Sequence, residues 1–241
     1  MPPPGDLRGP ADGRPGQFSR ADFELGARTI LSPGRWANAV VYRFEHGGTA
    51  WVVKDFRPRG FLVRNLVGRF LVRREFGALK RLDGIRIAPQ DALLVDRYAL
   101  AYRFVPGRSL RGARDVVFPR EYFQTLELGL REMHARARLA HFDLRNPRNI
   151  LMSESGEPRL LDFQSAVGTD WMPGPLRRFA ERVDLAAIYK HWKRRAPATL
   201  DGDRAEALSR MNRLRPLWVL RGYLGVPSPE ARRRRKRRGR Q

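Results

Sequence analysis

Residues 141–164 read His-Phe-Asp-Leu-Arg-Asn-Pro-Arg-Asn-Ile-Leu-Met-Ser-Glu-Ser-Gly-Glu-Pro-Arg-Leu-Leu-Asp-Phe-Gln, and no other stretch restricts the fold as strongly. Two short apolar runs, Asn149–Met152 and Arg159–Asp162, flank Ser155-Gly156-Glu157-Pro158, and a polar loop precedes the first run. Short runs bounded by Gly, Pro and Ser read as strands joined by a turn. Such a hairpin can place Asp143, Asn149 and Asp162 at one mouth. Two carboxylates and an amide oxygen form a hard-oxygen set suited to Mg²⁺, which usually also takes water and substrate phosphates. Asp143 would then accept a proton from an attacking hydroxyl while the metal neutralises phosphate charge.

Strand-like and helix-like stretches are segregated on either side of Pro106-Gly107. The first half holds β-rich runs at Arg28–Leu31, Ala39–Phe44, Ala50–Phe56, Ala92–Val95 and Ala99–Phe104, with His46-Gly47-Gly48 as a hairpin turn. One helical pattern interrupts them, from about Phe61 to Leu82, with Leu62, Leu66, Phe70 and Leu71 and then Phe76, Leu79 and Leu82 at helical spacing. The second half is mostly helical, over Arg120–Ala137, then near 175–195, 203–213 and 215–223. The expectation is an α+β, two-lobed architecture. Its divisions are a disordered leader over 1–20, a β-rich N-lobe over 21–105, a mainly helical C-lobe over 106–226 and a disordered polybasic tail over 227–241.

The chain has 241 residues and no cysteine, which excludes disulfides, thiolate metal sites and cysteine nucleophiles. No apolar run approaches the roughly 18 residues of a membrane span, and the first residues lack the apolar core of a secretory signal. Lys and Arg number 48 against 25 Asp and Glu, a net charge of +23. Eight of the positive charges lie in Arg232–Arg240, yet residues 21–225 still carry +15. Such a surface attracts polyanions. Arg57–Arg74 is basic and amphipathic. It is expected to pack on the small lobe as it leads into the helix bearing Glu75; the alternative is that it lies on a membrane surface.

The block 141–164 resembles the catalytic loop and metal-binding Asp of the protein-kinase-like superfamily, in the style of small bacterial RIO-like and lipopolysaccharide-kinase-like atypical kinases. The resemblance covers most of residues 28–190. It implies a two-lobed kinase-like fold in which Asp143 is the catalytic base, Arg145 contacts the γ-phosphate, Asn149 and Asp162 hold the metal and His141 positions the loop. Upstream, Lys54 in Trp51–Phe56 resembles the strand lysine that holds the α- and β-phosphates, and Glu75 resembles its helix partner. Tyr102–Leu110 resembles the interlobe hinge, where backbone groups of Arg103 and Val105 would meet adenine. Gly34 stands in the place of the glycine-rich loop. Asp184 resembles the buried carboxylate that braces the catalytic loop, and it reads equally as a helix surface charge.

The sequence departs from that pattern in four places. Ser32–Ala39 offers one glycine where three are usual. Asn149 lies six residues after Asp143 rather than five, with Asn146 as the alternative ligand. The Asp-Phe-Gly triplet reads Asp162-Phe163-Gln164, and losing the glycine should stiffen the segment. Ser165–Pro175 is short, with no Ala-Pro-Glu motif, which disfavours an extended peptide acceptor. The resemblance therefore implies a phosphotransferase using ATP and Mg²⁺ on a hydroxyl acceptor, either a sugar or glycolipid core or a protein Ser/Thr. The rival expectation is a pseudokinase or scaffold that binds an anionic partner. The chain is expected to be a cytoplasmic monomer, with the tail drawing it to an anionic membrane face. A third reading, ranked below these, is an RNA- or ribosome-associated RIO-like factor; it rests on charge alone, and no aromatic-interleaved RNA motif supports it.

Overall fold

The computed structural model describes residues 17–113 and 115–214. The first 16 residues of the expected leader, the expected helix over 215–223 and the polybasic tail lie outside the described residues. Residues 17–20, read from the sequence as part of the leader, belong to the folded lobe. Phe18 is buried, Ser19 caps a short helix α1 (Arg20–Leu25), and its side chain and Asp22 form a reciprocal capping box.

Five strands follow in an antiparallel sheet: β1 (Arg28–Ser32), β2 (Val40–His46), β3 (Thr49–Asp55), β4 (Leu93–Asp96) and β5 (Ala99–Arg103), in the order β1-β2-β3-β5-β4. Gly47 and Gly48 both have positive φ, 56° and 73°, so the expected turn is a two-residue hairpin whose twist matches its strands. Strand β3 lies in the middle of the sheet and is covered on both faces. Side chains alternate along a strand. Trp51 and Val53 accordingly face a small cluster with Phe18, Phe23 and Phe44, while Val52 joins the main core. Lys54 shares the side of Val52, toward the main core. Asp55 falls on the other side, where Arg20 meets it at 2.8 Å and also meets Asp96 at 2.9 Å, tying α1 to two strands.

The helix read over Phe61–Leu82 is present as a π-helical turn (Val63–Gly68) running into α2 (Arg69–Arg81). Its orientation corrects the sequence reading. Leu79 and Leu82 are buried as expected, but Leu62, Leu66 and Phe70 are exposed. The inward stripe is instead Asn65, Gly68, Val72, Glu75 and Leu79. Gly68 is required there because a Cβ would stand 2.7 Å from Phe56 Cβ. Asn65 is required because its Oδ1 accepts from the Tyr98 hydroxyl at 2.7 Å.

Beyond the joint at 104–106, β6 (Gly107–Ser109) pairs with β8 (Ile150–Ser153), which pairs with β9 (Pro158–Leu160). Between them run α3 (Arg120–Glu132), a π turn (Met133–Ala137) and β7 (Leu139–Ala140), which pairs with β10 (Val167–Gly168). The 22-residue α4 (Gly174–Arg195) and α5 (Gly202–Leu214) complete the helical lobe. Trp192 of α4 is fully buried and stacks on Phe123 of α3, with centroids 5.3 Å apart. No helix of the described residues is long and apolar enough to cross a membrane.

Candidate active site

The alternation of β3 aims Lys54 into the space between sheet and α2, where Glu75 points back from the inward stripe. Lys54 Nζ donates to Glu75 Oε1 at 2.6 Å and to Asp162 Oδ1 at 2.9 Å, and the Lys54 and Glu75 side chains are almost wholly buried. Burial alone would lower the Lys54 pKa, but the charges of Asp162 and Glu75 outweigh it and the ammonium is held well above its ordinary value. Burial pushes the Glu75 carboxyl up, against the pull of Lys54. Asp162 is held below the carboxylate range, first by the Lys54 charge, and its side chain keeps 43% exposure. One lysine therefore joins helix, sheet and the hairpin end, 108 residues apart in sequence.

The polar loop is positioned by a carboxylate beneath it. Asp184 of α4, 1% exposed, accepts from the backbone N–H of His141 at 2.6 Å and of Phe142 at 2.9 Å, and its Oδ2 lies 3.1 Å from His134 Nε2. Of the two sequence readings of Asp184, the bracing one holds. His134 joins the same brace. Phe142 has φ of +62°, a conformation a bulky residue keeps only when its surroundings impose it. His141 is fully buried. Its Nδ1 accepts from the Asp143 N–H at 3.4 Å, which leaves Nε2 to donate to the Leu161 carbonyl at 3.0 Å. The imidazole thus links the loop to the strand that ends at Asp162.

Asp143 and Asn149 are brought together. Asn149 Nδ2 donates to Asp143 Oδ2 at 2.8 Å and to the Asp143 carbonyl at 3.1 Å, while Asn149 Oδ1 lies 3.4 Å from Asn146 Nδ2. Strand pairing sets Ile150 opposite Leu160, and the Leu161 N–H donates to the Asn149 carbonyl at 2.9 Å, so Asn149 stands beside the chain leading into Asp162. Asn146, the alternative, instead folds back to accept from the Arg148 N–H at 3.2 Å. Burial raises the Asp143 pKa, with the Asn149 hydrogen bond opposing. Arg145 is half-buried on the same loop. With Lys190 and Arg194, its charge adds to burial in pushing His191 down to about 4; the His191 ring meets the Leu144 carbonyl at 2.9 Å.

Asp162 itself takes a left-handed backbone, φ 64°. The residues after it are stitched to α2: the Gln164 side chain lies against Glu75 and favours its charged form, and Arg74 donates to the Ser165 and Ala166 carbonyls at 3.2–3.3 Å. Gln164, where kinases of this general pattern carry glycine, thus adds a tie across the segment, and sequence reasoning missed both that tie and the Arg74 pair. Gln164→Gly should remove that contact and add backbone freedom, worth on the order of 1 kcal/mol of local stability. Amide exchange over residues 163–168 should then speed up about fivefold; unchanged exchange would remove Gln164 from this role.

At the other side of the cleft, Gly34 lies in the loop between β1 and β2 with φ of +63°, and a Cβ there would collide with the Ala39 carbonyl. Arg59 ties this loop down through the Pro33 and Asn38 carbonyls. The expected hinge groups need one restriction: the Arg103 N–H donates to the Gln90 carbonyl at 3.0 Å and the Phe104 N–H to the Ala50 carbonyl at 2.8 Å. Arg103 therefore offers a base its carbonyl alone, and Val105 follows, half-buried.

The donor set fits a hard divalent cation carried by phosphates. It comprises an ionised, part-exposed Asp162 and the side-chain oxygen of Asn149, while no cluster of three His, Cys, Asp or Glu among the described residues forms an all-protein cage.

The family model described as RIO domain matches residues 55–205, which includes Glu75, Asp143, Asn149 and Asp162 but starts one residue after Lys54. No curated protein matches the chain. Solved structures that resemble it include the Rio2 kinase of Chaetomium thermophilum in an ADP/Mg²⁺-phosphoaspartate complex, at 20% identity and TM-score 0.53 over 78% of this chain and 62% of that one. A second Rio2 kinase structure from the same organism gives 20% identity and TM-score 0.54 over 78% and 64%. The chain spans less than two thirds of those Rio2 chains, and at this identity the likeness is one of fold. With the family model covering more than half of its length and the same fold in these kinases, the chain belongs to the RIO-domain family.

Proposed function

We propose that this protein is an atypical kinase that moves the γ-phosphoryl of Mg-ATP to a hydroxyl acceptor. The observation that carries the reading is the position of Lys54 Nζ, bonded to Glu75 and Asp162 at once, beside a loop that presents Asp143. Lys54 would hold the α- and β-phosphates, with Glu75 fixing its direction. Asp162 and Asn149 would hold the Mg²⁺, which when bound offsets phosphate charge. Asp143 orients the acceptor hydroxyl and takes its proton, while Arg145 steadies the phosphoryl oxygens. The Arg103 carbonyl and the Val105 N–H would meet the base, and the Gly34 loop would cover the phosphates.

The chain between β10 and α4 is only a few residues long, Thr169–Pro173, and Arg81 pins it through Asp170 at 2.6 Å. That leaves little platform for an extended peptide. It supports a compact acceptor, a sugar or glycolipid hydroxyl, over a protein Ser/Thr. The lobe divisions at 105/106 and a monomeric state are part of the same reading.

Calorimetry with ATP tests it. Binding should require Mg²⁺, and Asp162→Asn should weaken Mg-ATP by about tenfold or more through loss of a charged ligand. Tight binding that survives EDTA would refute the metal assignment. Absence of transfer from labelled ATP to any sugar, glycolipid or protein, with nucleotide still bound, would favour a scaffold.

A further inference from the structure

We propose that the outward face of the helix beginning at Phe61 is a docking surface for an anionic lipid bilayer. The inward stripe described above faces the lobe, so the opposite face has to carry the remaining large residues. Phe61, Leu62, Leu66 and Phe70 are 70, 69, 68 and 61% exposed. Leu62, Leu66 and Phe70, spaced by four on one face with Phe61 exposed at the start of the helix, are a patch rather than the scattered exposure usual on protein surfaces.

The charge around the patch says what covers it. From Arg57 through Arg74 there are six arginines and no Asp or Glu. Arg57 is paired with Glu24, Arg59 holds loop carbonyls and Arg74 holds Ser165 and Ala166. Arg69 and Arg73 have no ion-pair partner among the described residues, and they flank Phe70 on the helix. Apolar side chains rimmed by arginine, whose stems bury while their heads reach the headgroups, match an interfacial helix on anionic lipid. The loop that carries Trp36, 83% exposed, is bound by Arg59 two residues before Phe61. RNA also seeks arginine and can stack bases on Phe61 and Phe70, but a hydrated nucleic acid gains little from the aliphatic Leu62 and Leu66, whereas a bilayer buries all four side chains.

The absence of cysteine makes the test direct. Full-length Leu66→Cys carrying one environment-sensitive fluorophore is mixed with vesicles of phosphatidylcholine, alone or with about one third phosphatidylglycerol, at physiological salt; Ser209→Cys, exposed on α5, is the control. The label at 66 should shift to the blue and be quenched by brominated lipid on the anionic vesicles, and the label at 209 should not. Arg69→Gln with Arg73→Gln should weaken vesicle binding by about fivefold per charge, and Leu62→Ser with Phe70→Ser by at least tenfold, with circular dichroism unchanged. Vesicle binding that leaves the label at 66 in water would overturn the proposal and assign attachment to another part of the chain. Protection of that label by RNA, by a second copy at higher concentration, or in the free monomer would overturn it too. No nucleotide is needed, so failure here is separable from failure of the kinase reading.

Discussion

Replacing Asp143 by Asn should cut phosphotransfer by about 100- to 10,000-fold, the range by which a positioned general base accelerates proton transfer. Mg-ATP affinity should stay within about twofold, because Asp143 touches Asn149 and faces the acceptor rather than Lys54. The substitution is close to isosteric, and Asn149 can still find an acceptor in the Asp143 main-chain carbonyl at 3.1 Å, so the loop should keep its shape. The pH profile separates Asp143 from its neighbour. Burial raises the Asp143 pKa and the Lys54 charge lowers that of Asp162. A base with a raised pKa works only above that pKa, so activity should fall as pH drops through a value higher than that of an ordinary Asp, while Asp162 remains ionised. An acid limb at or below the ordinary Asp value, or an equal loss of nucleotide affinity in Asp143→Asn and Asp162→Asn, would defeat the division of roles.

Much of this site is legible in the chain because its chemistry needs particular residue types in a set order. A lysine in a β-rich run is noticeable when the chain has only five, and a glutamate 21 residues later, inside a helical pattern, completes the pair. The hairpin announces itself through Ser-Gly-Glu-Pro. The facing of the helix over 61–81 does not announce itself. Leu62, Leu66 and Phe70 have helical spacing, but so do Asn65, Gly68, Val72, Glu75 and Leu79. Hydrophobicity favours the wrong set at its N-terminal end, because the inward contacts there are a close approach to Phe56 and a hydrogen bond to Tyr98, which call for a glycine and an amide. The ties from Gln164 and Arg74 were equally hidden. Each joins side chains or carbonyls far apart in sequence, and neither residue type is unusual where it sits. Arg20 was lost with the leader for a similar reason: nothing local shows that Asp55, on the outer side of β3, needs a cation.

Of the two equal readings of Asp184, the structure selects the bracing carboxylate, and the second large expected effect rests on it. Its carboxylate receives two backbone N–H groups and faces His134 at a point where almost no water reaches. Asp184→Ala would leave those groups buried without an acceptor. Removing one member of a buried charged network costs about 3–5 kcal/mol, and for a domain of this size that corresponds to a fall in Tm of roughly 10 °C. The harm should reach catalysis through the backbone: Phe142 holds a positive φ only while both N–H groups are pinned, and Asp143 is the next residue. In protein that remains folded at low temperature, kcat should fall at least tenfold. Mg-ATP binding, which uses Lys54 and Asp162, should change far less. His134→Ala removes one contact of the three and should cost about 1 kcal/mol, with little effect on kcat. A Tm for Asp184→Ala within 2 °C of the parent chain, or loss of nucleotide affinity in step with kcat, would show that the loop is held by something other than this carboxylate.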